Sequence, residues 1–177
     1  SQLELPHEIQ RSMNKYLSLA AAALLAACTP GVDGEQAIAD MAARSNWATD
    51  SLGSYAIVAR LEQAAAESED DSLWARYQLA AGDLEAQIPS RALFAIRHYM
   101  RVVDSLPDRF GPRALFAVAT TFDVALGDQI RAAQAYELFV QRYPQHPWAG
   151  RVDTMLQLTR TNADSLLLQQ IQAKSNE

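Results

Sequence analysis

From residue 35 onward, apolar positions recur at helical spacing. In Gln36–Arg44, Ile38, Met41 and Ala42 share one face and predict a first short helix. A second helix is predicted to bury Leu52, Tyr55, Ala56 and Ala59, with Ile57 beside them. Asp50 or Ser51 can cap it, because a short side-chain oxygen accepts a free first-turn N–H. The polar run Glu67–Ser72 (ESEDDS) ends that helix, and its acids favour the next helix start through the helix dipole. Leu73, Trp74, Tyr77, Leu79 and Ala80 follow, and Gly82-Asp83 reads as a stop.

Two later stretches share one pattern. Ala95, Tyr99, Val102-Val103, Leu106-Pro107 is matched by Ala132, Tyr136, Phe139-Val140, Tyr143-Pro144, an offset of 37 residues. A period of this length predicts stacked helical hairpins. Trp148–Leu158 is predicted to cover the open end of the stack, since a last repeat otherwise exposes its apolar stripe. Beyond it, Asn162 can break the helix or Asp164–Gln172 can continue it, with Ala173–Glu177 frayed.

Composition agrees with helices. Glycine and proline number seven each, and 49% of residues are hydrophobic, so an all-α fold with a real core is expected. The net charge of −6, with no basic stripe, argues against nucleic acid as a partner. The single cysteine, Cys28, excludes an intramolecular disulfide. His7, His98 and His146 stand at no metal-ligand spacing, and no Gly-rich phosphate loop or nucleophile elbow occurs. Neither a metal, a cofactor nor an enzymatic activity is expected. Trp74 and Trp148 are predicted to fill core grooves at hairpin starts. Trp47, in the loop SNWATD, is either an exposed anchor or a staple packed beneath the second helix.

The Ala-x₃-Tyr spacing with a proline after the helix, at Ala95…Tyr99…Pro107 and Ala132…Tyr136…Pro144, resembles tetratricopeptide repeats. Gly127-Asp128 stands where that family places its inter-helix turn and Phe116 where it places a large apolar residue, whereas Thr120 and Asp123 replace its usual Gly and Tyr. The earlier repeat carries extra residues around Glu85–Ser90. Phe139…Tyr143-Pro144 followed by Ala149 resembles the repeats of bacterial outer-membrane assembly lipoproteins and Tol–Pal-associated periplasmic proteins. Met13-Asn14-Lys15, then Tyr16–Ala27 without a charge, then Leu25-Ala26-Ala27-Cys28, resembles a bacterial lipoprotein signal peptide. A helix of that apolar length spans ~18 Å, short of the ~30 Å bilayer core.

These resemblances imply an organisation. Residues 1–12 lie upstream of the fold, 13–27 form the signal peptide, 28–34 a tether, 35–161 the repeat domain and 162–177 a helix or tail. The fold expected is a short all-α TPR-like solenoid of six to seven helices. Cys28 would be diacylated and anchor the protein in the bacterial envelope, at an outer membrane facing the periplasm. The function implied is binding a protein or peptide, with Arg76, Tyr77, Arg113 and Thr121 facing the groove and Trp47 as a further contact. The alternative is a structural lipoprotein that self-associates, with Asp164–Gln172 as a helical zipper.

Overall fold

The structure is a computed structural model, and it describes residues 33–175. Cys28, the expected signal peptide and the segment before it lie outside the described residues. Among the described residues there are seven α-helices and no strand. They are α1 (Gly34–Ala42), α2 (Ser51–Glu67), α3 (Asp71–Glu85), α4 (Ala92–Ser105), α5 (Gly111–Thr120), α6 (Gln129–Arg142) and α7 (Ala149–Ser175). A 3₁₀ turn, Pro89–Arg91, precedes α4, and a π-helical turn, Thr121–Ala125, extends α5. No helix among the described residues is long and apolar enough to cross a membrane.

Local chemistry sets the helix starts. Asp33, Asp50, Asp70 and Asp128 each accept a first-turn backbone N–H, satisfying a donor the helix itself cannot. Each helix packs on its neighbours in sequence, and α1 also reaches α3. Two cores result. One joins α1, α2 and α3 around Ala37, Trp47, Leu61 and Leu84. The other joins α3 to α7 around Tyr99, Leu115, Tyr136 and Phe139. Helix α3 serves both, with Leu79 in the second core and Tyr77, Ala81 and Leu84 in the first. Trp74 packs partly buried against each.

The 37-residue offset is visible in the backbone. Leu106 and Tyr143 end α4 and α6 with nearly the same dihedrals, φ −133°, ψ 58° and φ −127°, ψ 53°. Ala95 and Ala132 are both fully buried, so neighbouring backbones approach closely, and Tyr99 and Tyr136 fill the space beside them. The correspondence runs on into the following helices. Leu115 and Val152 are buried at the same offset, and so are Ala119 and Leu156. The helix-to-helix turns also touch one another. Arg109, between α4 and α5, donates to the Ser72 hydroxyl at the start of α3 (2.7 Å). Tyr143, after α6, donates to the Pro107 carbonyl (2.9 Å).

Several expectations change. Gly82-Asp83 does not stop α3, which runs to Glu85. Gly82 is a notch instead: a Cβ there would lie 2.6 Å from the Tyr99 ring. The second helix is rotated from the predicted stripe. Leu52, Tyr55, Ala56 and Ala59 are exposed, and Ser54, Ile57, Val58, Leu61, Ala64 and Ala65 face inward. That helix is apolar on most sides, so spacing alone allowed either phase, and the inner stripe is the one α1 and α3 cover. In α1, Gly34 and Ala37 are buried and Ala42 is exposed, with Ile38 and Met41 packed at the core's edge. Helix α1 begins at Gly34, within the expected tether, because Gly34 sits against the Tyr77 ring. Of the two readings of Asn162, continuation holds: α7 runs through it. Gly127, at φ +62°, makes the turn read at Gly127-Asp128.

Candidate functional site

A groove of about 510 Å³ opens between the C-terminal end of α3, α5 with its π turn, and the entry to α7. Its apolar wall is Phe116, Ala117, Val124 and Trp148, and its polar edge is Asp83 and Arg113. The volume lies in the range of ordinary ligand sites.

The sequence builds each part. Thr120 and Thr121 both return their hydroxyls to carbonyls one turn back: Thr120 to Phe116 and Ala117 (3.1 Å each), Thr121 to Ala117 (2.7 Å). Such back-bonding bends a helix, and here α5 passes into the π turn at these residues. The extra residue of that turn brings Asp123 round to α6, where its carboxylate accepts from Gln129 Nε2 (3.0 Å) and the Tyr136 hydroxyl (3.1 Å). The earlier repeat holds its tyrosine by the same means from a different helix. Tyr99 donates to Asp83 (2.8 Å), whose second oxygen accepts from Arg113 (3.0 Å). Burial, with the neighbouring carboxylates, pushes both phenols far up, so Tyr99 and Tyr136 stay protonated donors.

Trp148 forms the groove's far side. It is 40% exposed and meets Phe116 edge-on at 5.6 Å. His146 packs at 5.0 Å on its other flank and accepts the Trp148 backbone N–H through Nδ1. Phe116 in turn touches Tyr136 and Phe139, so the exposed indole rests on a chain of rings reaching the core. Arg151, with Phe116, Trp148 and Val152, closes a smaller recess beside it.

The predicted contact residues divide. Arg113 and Thr121 line the groove. The Thr121 hydroxyl is already committed to Ala117, so it offers its methyl and bulk rather than a donor. Arg76 instead reaches Glu35 on α1 (2.9 Å) and does not line the groove. Tyr77 is buried in the first core against Gly34, because α1 covers that face of α3. Trp47 is 2% exposed and donates its indole N–H to the Met41 carbonyl (3.0 Å). That burial removes it as an exposed anchor and leaves the staple. Trp148, expected in a core groove, is the exposed tryptophan instead. The repeat offset places Trp148 opposite Gly111 at a helix start.

A second polar cluster lies buried between α2, α3 and α4. His98 is fully buried, with Nδ1 2.7 Å from Gln78 Oε1. Its Nε2 lies 3.4 Å from Glu85 and 3.5 Å from Glu62. Arg91 pairs with the other Glu85 oxygen. Glu85 Oε2 and His98 Nε2 lack hydrogen-bond partners, so one proton held between them would satisfy both. Burial raises the Glu85 carboxyl against the pull of Arg91. Burial, then Arg101, Arg97 and Arg91, lowers His98 to about 4. Its visible work is to tie three helices together. Among the described residues, no group of three or more His, Cys, Asp or Glu is placed to hold a metal.

No family model, curated protein or solved structure matches the chain.

Proposed function

We propose that the chain is a lipid-anchored bacterial envelope protein whose TPR-like domain binds a segment of a protein partner in the groove between α3, α5 and the entry to α7. The anchor is Cys28 of the LAAC motif, carried by the lipoprotein resemblance. The repeat offset, the matched helix ends and the touching turns support the solenoid reading. A role as an adaptor in outer-membrane or envelope assembly follows from the resemblance of the FVQRYP stretch.

The observation that carries the binding reading is Trp148. A large indole held half in water beside a preformed apolar recess, with Arg113 and Arg151 at its edges, suits an anchor residue of an incoming peptide. Selection of peptides from a random display library against the full chain tests it. Enriched peptides should share a large apolar side chain and lose binding to Trp148→Ala. Selected peptides that bind Trp148→Ala unchanged would place the site elsewhere. The anchor is tested separately, by intact mass of protein purified from bacterial membranes beside Cys28→Ser. Cleavage before Cys28 with added acyl chains is expected, and an unprocessed chain would end the lipoprotein reading.

A further inference from the structure

Helix α7 is longer than the stack needs. Its last buried side chains are Leu156 and Thr159, and from Arg160 on no described side chain is buried. The helix nonetheless continues to Ser175, about 22 Å beyond Arg160 at ~1.5 Å per residue. A helix surrounded by water normally carries charge on most faces. Residues 161–173 carry one charge, Asp164. Leu167, Leu168 and Ile171 are each more than half exposed on this stretch. An isolated segment of this length is a marginal helix in water, so it requires a surface to lie against.

The order of residues points to that surface. Asp164, Leu167, Ile171 and Lys174 are spaced three, four and three, which puts them on one helix face. The set is complementary to its own reverse. Laid antiparallel about position 169, Leu167 meets the partner's Ile171, and Asp164 meets the partner's Lys174, at both ends. Laid parallel, each acid meets an acid and each lysine a lysine. We infer that two copies of this chain associate through the projecting ends of α7 as an antiparallel helix pair centred on Gln169. This inference stands independently of the groove. The paired face is short, on the order of 1,000 Å² in total, which is the size of a weak or transient interface.

Sedimentation velocity of the full chain, run from about 10 µM to 1 mM, tests this. The mass is expected to rise toward that of a dimer across the range, and Ile171→Asp should abolish the rise. Lys174→Asp should weaken association roughly 3- to 10-fold by placing acids opposite one another twice, and Asp164→Lys with Lys174→Asp should restore it. Far-ultraviolet dichroism of each variant checks that the domain stays folded. A chain that stays monomeric throughout, or a dimer indifferent to Ile171→Asp, overturns the interface. Charge reversals without effect, or a double reversal that fails to restore association, overturn the antiparallel arrangement.

Discussion

His98 gives the sharpest solution signature among single residues. Its folded value of about 4 lies below the unfolded 6.5, for burial first and then for the Arg101, Arg97 and Arg91 charges. Between pH 6.5 and 4 the unfolded chain therefore binds a proton that the folded chain refuses. The stability this group contributes is full above 6.5 and lost as pH falls through 4, a span of ~3 kcal/mol if it acted alone. Glu85 opposes it: its raised carboxyl lets the folded chain bind a proton first as pH falls. The expected outcome is a melting temperature that drops more steeply from pH 6.5 to 4 in the native chain than in His98→Gln. Equal slopes would mean that the ring is not held neutral. Trp47→Ala should cost ~3–5 kcal/mol in chemical denaturation, as for other fully buried aromatics. Trp148→Ala should cost far less, since its ring is 40% exposed. These two residues mark a limit of reading the sequence. Both are tryptophans near helix starts, and only the presence or absence of a covering helix separates them. That is a tertiary fact with no local signature.

At the scale of elements, the legible parts were those the chain uses twice. The 37-residue offset identified α4 and α6, their tyrosines and their proline exits, because the same packing problem recurs with the same residues. Helix α2 has no such copy. Its alanines and mixed apolar residues fit two rotations, and the exposed Tyr55, which stacks with Arg91 at 4.2 Å, looked like a core aromatic. Gly82 looked like punctuation because its role, giving way to a ring, depends on a residue on the next helix. The π turn was likewise hidden, since the two threonines that accompany it are ordinary in a helix. Gly127→Ala should destabilise by ~1 kcal/mol, the strain of φ +62° on an L side chain, measured by urea unfolding. Truncation distinguishes the two parts of α7. Removing Trp148 onward uncovers the face that Val152 and Leu156 bury, and should lower the melting temperature by about 10 °C or more. Stopping after Arg160 removes no described side chain that is buried, and should leave the melting temperature nearly unchanged.

Taken as a whole, the described helices pack in chain order. Helices pack chiefly on their sequence neighbours, α3 is shared by both cores, and the turns after α4 and α6 each bond to an earlier part of the chain. In the solenoid proposed above, stability is close to a sum of neighbour terms. Protection from hydrogen exchange should therefore be greatest in α2 to α6, each covered on two sides, and least in α1 and in α7 beyond Arg160. Uniform protection across all seven helices would contradict this order. The groove was not legible in the sequence because its wall needs α5 and α7 side by side, and its anchor needs nothing on top. The same order has a mechanical meaning. Pulled by its two ends, the chain would not break as one body. Helices would peel inward from the tips, each yielding at low force. The Tyr143–Pro107 and Arg109–Ser72 bonds, each tying a turn to an earlier part of the chain, would set the height of the later steps.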